Sequence, residues 1–403
     1  MARYLVVGSL FVLSLITYID RAAISSAKSA MGSDLALSDQ AMGAVFSAFA
    51  LGYAIAQIPS GWLADRIGPR LALGAVVSTW SIFTGLTGAV SSLNLLLLIR
   101  FLFGIAEAGA FPGGARAIYN WLPPGERGRA NGIMFSGTRL GAAFAFPLMA
   151  TLIESWGWRS AFYILAVPGL VWGALWVLFF RNHPRTPAVQ GAVEAGPEFS
   201  FAAVFRSRGM LLNMFQYFAG NFTFFICLSW MLPYLQQRYA LGLAEAAGYA
   251  VVPLVLGGTA QWTAGFLVDS LYRSRYRRWS RRAPAILGFA LAAGAILLVG
   301  FMASPVAAVV CFAVATFGAD MTISPSWAYC QDVGGRKSGA VSGSMNMVGN
   351  FGSFVSANAF PFLFGLTGSA FAYFAIAALL NALSIACWCG MRPPAGAGGV
   401  TKS

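Results

Sequence analysis

Long apolar stretches alternate with short polar joints along this chain, and the stretches are too long for strands. Twelve of them predict helices, at about 4–31, 38–64, 70–90, 93–121, 127–154, 159–181, 209–238, 243–270, 283–303, 305–331, 335–365 and 368–391. About 20 such residues cross the hydrocarbon core of a bilayer, so the pattern predicts an all-α membrane protein with twelve transmembrane helices. The first apolar run flows into a longer helix with no small-residue cleavage site behind it, and is expected to stay. One joint is long: residues 182–208 carry HPRTPAVQGAVEAGPE, rich in Pro, Gly and Ala with scattered charge, which reads as a linker. It divides the chain into six spans at 1–181 and six at 209–403.

Composition agrees. At 58% hydrophobic and 10% charged residues, a soluble domain is excluded. The net charge of +13 would point to nucleic acid in a soluble protein, but its distribution points to topology instead. Of 26 Lys and Arg, 19 fall in joints assigned to one side, including the six between Arg273 and Arg282. Three (Lys28, Arg159, Arg238) fall on the other side, and four (Arg21, Arg100, Arg116, Arg139) lie within spans. By the positive-inside rule both termini are cytoplasmic, and no nucleic-acid partner is expected. The five cysteines all lie in or at the ends of apolar spans and read as packing residues.

The candidate chemistry is charge placed where charge is expensive. Residues 93–121 read as one helix carrying Arg100, Glu107 and Arg116, and an ionised side chain at mid-bilayer costs about 2.5–3.5 kcal/mol. Arg100 and Glu107 are seven apart and share a helical face. Small residues around them admit close neighbours. Asp20 and Arg21 are adjacent in helix 1, so they project about 100° apart and each needs a partner elsewhere. Glu107 has no basic residue three or four positions away. A structural ion pair between helices is the plainer alternative to a functional one. A carboxyl moved between an apolar pocket and the reach of an arginine would load and release a proton, which gives a physical route to proton-coupled transport.

At 61–70 the chain reads GWLADRIGPR, a tight turn in which Gly61 allows close helix contact, Asp65 can hold a helix end, and Gly68 precedes a proline. Arg66 and Arg70 complete it. A degenerate copy, GFLVDSLYRSR, stands at 265–275, about 204 residues on, and Gly125-Glu126-Arg127 is echoed by Gly334-Gly335-Arg336, about 209 on. Matching offsets indicate two homologous six-helix halves, hence two pseudo-symmetric six-helix bundles. The 61–70 run resembles the signature loop of the major facilitator superfamily. Within it, YIDR at 18–21, GYAIAQIPSGWLADRIGPR at 52–70, RFLFGIAEAGAFP at 100–112 and WGWRSAF at 156–162 are similar to the anion:cation symporter family, which includes carriers of hexonates, hexuronates and glucarate.

That resemblance implies a substrate site between two bundles, alternating access and proton-driven import of an organic anion across a bacterial-type inner membrane. It implies proton handling by Asp20 and Glu107 with Arg100 beside Glu107, and a substrate carboxylate held by Arg21 with Tyr18 and Tyr53. Asn346 falls where the family places a polyol-binding amide. The chain departs from the pattern at 136–139, where SGTR puts Thr138 and the charged Arg139 in place of an amide. Helix 10 carries the additional acid Asp320 in FGADMTISPSW, near the candidate polyol partners Ser324, Ser326 and Trp327. Gln216, Tyr217 and Asn221 on helix 7 are further cavity candidates, and Arg116 lies near the cytoplasmic end of its helix. Each of these polar groups could equally serve an interhelical hydrogen bond.

No cofactor and no metal are expected, protons being the coupling ion, and the protein is expected to work as a monomer in the lipid bilayer. An organic-anion or phosphate-ester exchanger or uniporter on the same fold is the nearest alternative, and Glu107 discriminates, because an exchanger needs no titrating acid there. An enzyme is disfavoured: the single histidine, His183, lies in the linker and no metal-ligand cluster or nucleophile–base pair lies within a span.

Overall fold

The computed structural model describes residues 2–183 and 201–391. Most of the expected linker, 184–200, lies outside the described residues. Among the described residues all regular structure is helical. In chain order the helices are α1 (Ala2–Ser26), α2 (Lys28–Asp34), α3 (Asp39–Ile67), α4 (Pro69–Gly88), α5 (Leu93–Glu107), α6 (Ala110–Trp121) and α7 (Arg127–Phe179). There follow α8 (Phe201–Arg206), α9 (Arg208–Ser229), α10 (Met231–Tyr239), α11 (Leu243–Arg273), α12 (Arg282–Val299), α13 (Pro305–Met321), α14 (Ile323–Gly334), α15 (Ser338–Thr367) and α16 (Phe371–Gly390).

Nine segments among the described residues are long and apolar enough to cross a membrane, and α9 with α10, bent by 46°, supplies a tenth. Two of the nine, Arg127–Phe179 and Pro305–Thr367, run 53 and 63 residues. At about 1.5 Å per residue each far exceeds one hydrocarbon core of about 30 Å and crosses twice. The first bends at Gly157, whose φ of 75° is not helical. Twelve crossings result, as the hydropathy pattern requires.

The helix expected over 93–121 is one span, Leu93–Trp121, whose hydrogen-bond ladder is interrupted at Ala108–Gly109 directly after Glu107, separating α5 from α6. Proline is the cause. Pro112 has no N–H to return to the Ala108 carbonyl one turn back, so the ladder fails there. Pro325 does the same to the Met321 carbonyl, and α13 gives way to α14 at Thr322. Both breaks fall beside a buried acid, Glu107 in one case and Asp320 in the other.

The chain forms two compact units. Unit 1 comprises Met1–Leu122, Gly137–Pro197 and Gly334–Met347; unit 2 comprises Pro123–Ser136, Glu198–Val333 and Val348–Ser403. In unit 1 a core of Ile24, Met31, Val45, Leu96, Ile99, Met149, Trp158 and Phe162 joins α1, α2, α3, α5 and α7. In unit 2 Phe222, Ile226, Tyr234, Ile296, Phe312, Tyr373 and Phe374 join α9, α10, α12, α13 and α16. Large apolar side chains such as Phe144, Phe179, Phe354 and Phe362 are exposed, as suits surfaces facing lipid.

Backbone contact between α3 and α5 positions the site. A side chain at Gly52 would strike the Phe101 carbonyl, and one at Gly104 would strike the Phe49 carbonyl. Only glycine at both positions lets the helices touch, which brings Phe49 and Tyr53 of α3 against the end of α5. At the other end of α3, Gly68 adopts φ 84°, which favours glycine, and Pro69 opens α4 at N1. Arg70 ties this turn to the end of α7: its N–H donates to Asn182 Oδ1 (2.9 Å) and its Nε to the Val177 carbonyl (2.8 Å). Arg66 stacks on Trp62, its Cζ 5.2 Å from the ring centroid.

Candidate functional site

In unit 1, the charged residues of α1 and α5 converge. Arg21 Nε donates to Glu107 Oε1 at 2.5 Å; the Glu107 side chain is fully buried and that of Arg21 is 19% exposed. Four aromatic rings surround the guanidinium, with Cζ 4.4 Å from Tyr53, 5.1 Å from Tyr18, 5.4 Å from Phe49 and 6.0 Å from Phe111. Such rings attract a cation without neutralising it, so the positive charge stays available to an anion. Arg21 Nη2 and Glu107 Oε2 are buried without a hydrogen-bond partner.

Asp20, the neighbour of Arg21, takes other partners, as the 100° projection requires. Its Oδ2 accepts from Trp80 Nε1 (3.1 Å) and Thr84 Oγ1 (3.4 Å), both on α4, while Oδ1 is buried and unpartnered. Trp80 and Thr84 are one turn apart on one helical face, so a single face of α4 holds the acid. Only that spacing marks them in the sequence.

Arg100 departs from expectation. It shares a face with Glu107, but Glu107 pairs with Arg21 across helices rather than with Arg100. A seven-residue spacing leaves two turns, about 10 Å of rise, between backbones, and Arg21 on α1 comes closer. Arg100 is buried with its Nε unpartnered, and its Cζ lies 4.4 Å from the Phe103 ring and 5.1 Å from the Phe49 ring. Phe49 is thus shared by two arginines.

Tyr53 leads to a polar extension. Asn346 Nδ2 donates to Tyr53 Oη (3.3 Å) and to Gln57 Oε1 (3.0 Å). Asn346 thereby joins Tyr53 in unit 1, although 293 residues separate them. Thr138 and Arg139 are buried on α7. Gln57, Phe49 and Phe111 are additional members; Gln57 stands one turn after Tyr53, and that periodicity was the available signal.

In unit 2, most polar candidates are committed to helix–helix bonds. Ser324 Oγ donates to the Gly128 carbonyl (2.6 Å), and Ser326 Oγ to the Thr322 carbonyl (2.6 Å) while accepting from Gln216 Nε2 (2.9 Å). Gln216 also donates to Asn213 Oδ1 (2.7 Å) and accepts from Trp388 Nε1 (3.2 Å). Trp327 Nε1 donates to Tyr217 Oη (2.9 Å) and its ring lies 4.8 Å from Phe135. Asn221 Nδ2 donates to the Tyr217 carbonyl (2.7 Å). Asp320 is buried at the end of α13.

The turn motif and its copy do the same work in their respective units. Asp65 accepts from Gly339 N–H (2.9 Å) and Ala340 N–H (2.8 Å), at the start of α15. Asp269 accepts from Gly128 N–H (2.9 Å) and Arg129 N–H (3.0 Å), at the start of α7. A carboxylate on free N–H groups at a helix start is favoured by both hydrogen bonding and the helix dipole. A glycine fits each approach: a side chain at Gly61 would strike the Gly339 carbonyl, and one at Gly265 would sit 2.7 Å from the Gly128 carbonyl. Arg116 belongs to this cluster, with Nε 3.7 Å from Asp65 Oδ1 and Nη1 donating to the Gly335 carbonyl (3.3 Å).

Comparison with known proteins supports the same architecture. A probable sulfoacetate transporter of Cupriavidus necator is 33% identical over 385 residues, covering 91% of this chain and 88% of that protein. The hexuronate transporter of Bacillus subtilis is 30% identical over 369 residues, covering 89% and 87%. The crystal structure of the Escherichia coli fucose:proton symporter matches with a TM-score of 0.77 over 96% of this chain and 98% of that one; at 14% identity it speaks to the fold alone. The family model of the Major Facilitator Superfamily matches residues 10–357. With twelve crossings, a repeated turn motif and named transporters as relatives, this chain belongs to the Major Facilitator Superfamily and is a multi-pass membrane transporter, not an enzyme.

Proposed function

We propose that this protein is a proton-coupled symporter that imports an organic anion of the sugar-acid class by alternating access, in a bacterial-type inner membrane with both termini cytoplasmic. The observation that carries the reading is the Arg21–Glu107 pair inside an aromatic box. With Glu107 ionised, Arg21 is neutralised and a second anion has little to gain there. Protonation of Glu107 removes the countercharge, and a substrate carboxylate takes its place on the guanidinium fork. Release reverses the exchange: the carboxylate leaves, the proton departs, and the pair closes again. Asp20 accepts hydrogen bonds from the neutral donors Trp80 and Thr84 and lies within the field of Arg100; we assign it the role of a second proton carrier. That relatives are named for hexuronate and sulfoacetate supports an acid as the substrate.

Calorimetry on the purified protein tests the substrate class. A hexuronate or hexonate is expected to bind and its neutral sugar analogue is not. Equal affinity for the neutral sugar would remove the role assigned to Arg21.

A further inference from the structure

Resting on the sugar-acid reading above, we infer that Gln57 donates to a substrate hydroxyl beyond the carboxylate and sets the preference for a polyhydroxy acid over a short one. Gln57 is fully buried on α3, and its Oε1 accepts from Asn346 Nδ2 at 3.0 Å. With Asn346 Nδ2 donating to Gln57 Oε1, the NH₂ group of Gln57 points away from Asn346. The Nε2 atom is buried and has no hydrogen-bond partner. A buried amide nitrogen left unmade is costly, so a donor held at this position calls for a partner.

The placement says what the donor meets. Arg21 lies over the Tyr53 ring at 4.4 Å, the Tyr53 hydroxyl accepts from Asn346 at 3.3 Å, and Asn346 reaches Gln57. Guanidinium, phenol and two amides thus form one continuous polar line within unit 1. Tyr53 and Gln57 are separated by one helical turn, about 6 Å of rise. A six-carbon acid with its carboxylate at Arg21 spans such a line, and a two-carbon acid does not. A hydroxyl suits this position, offering a lone pair to the Gln57 N–H.

The test is a coupling measurement by calorimetry on the full-length protein, with D-gluconate, D-glucuronate and the monodeoxy analogues of whichever binds. In wild type, one analogue deoxygenated away from the carboxylate is expected to bind about tenfold more weakly, the size of one hydrogen bond. In Gln57→Met the parent acid weakens to the same level and that analogue loses nothing further, the signature of a direct contact. A purely structural role would lower all of them by one common factor and preserve the tenfold ratio, which overturns the inference. If Gln57→Met is not monodisperse, Gln57→Leu replaces it, likewise removing both donors at similar volume, and the same ratio decides. Failure of wild type to bind any polyhydroxy acid overturns the sugar-acid reading itself. An unchanged ratio in a binding-competent variant overturns only the role of Gln57.

Discussion

Replacing Glu107 with glutamine separates coupling from binding. The substitution removes one charge and almost no volume from a fully buried position against an arginine whose side chain is 19% exposed. Breaking a buried pair costs about 3–5 kcal/mol when the surviving charge is abandoned. Here it is not abandoned. The glutamine oxygen still accepts from Arg21 Nε, and a hydrogen bond to a charged group is worth about 1.5–3 kcal/mol. The aromatic box is untouched, so a net loss of about 1–2 kcal/mol in stability remains, and the variant is expected to insert and stay monodisperse. Function should change far more. Arg21 then has no countercharge to displace, so substrate binding at neutral pH equals or exceeds wild type and loses its dependence on pH. In proteoliposomes the variant is expected to exchange labelled for unlabelled substrate, while uphill accumulation driven by a pH gradient or membrane potential disappears. Accumulation at near wild-type rate would refute the reasoning and move coupling to Asp20 alone, or replace it with plain exchange.

Two further perturbations test the parts separately. Arg21→Lys keeps the charge but loses the planar fork and the stacking on Tyr53; binding measured by calorimetry should fall at least tenfold, and wild-type affinity would move the carboxylate anchor elsewhere, Arg139 being the next candidate. Asp65→Ala and Asp269→Ala each remove two backbone N–H acceptors at a helix start, worth about 2–4 kcal/mol together; thermal unfolding should shift down for both variants, and an unchanged midpoint in either would show that its cap contributes nothing.

The crossings were legible because a bilayer admits few backbone solutions, and each apolar run had to be a helix. The adjacent Asp20 and Arg21 were legible for a similar reason: their projection forbids mutual pairing, and the structure gives them Trp80 and Glu107 respectively. What failed was partner choice across helices. Local spacing put Arg100 with Glu107, whereas close packing of α3 on α5, at Gly52 against Phe101 and at Gly104 against Phe49, builds the box that holds Arg21 over Tyr53. Such a choice depends on three helices at once and leaves no local period. The span over 93–121 was legible, and the interruption of its ladder follows from Pro112, four residues after Ala108.

The two halves repeat their scaffold, each with a buried acid beside its proline break, but not the full set of charges. Asp65 and Asp269 cap helix starts with matching bonds, Gly61 and Gly265 allow the approach, and Pro112 and Pro325 break the corresponding helices. Chemistry diverges on that common frame. Unit 1 has Asp20, Arg21, Arg100 and Glu107 buried or nearly so, whereas in unit 2 Asp320 is the buried acid among the candidates, and Ser324, Ser326 and Gln216 bond to neighbouring helices or to their own backbone. A cap must recur wherever the helix recurs, because its N–H groups are orphaned by geometry alone. An intramembrane charge recurs only if each copy has work to do, since each costs about 2.5–3.5 kcal/mol at mid-bilayer. On the proposed reading, recurrence of the frame with a denser set of buried charges in unit 1 is what a carrier with one coupling centre requires, and Arg21 with Glu107 is the pair assigned to it.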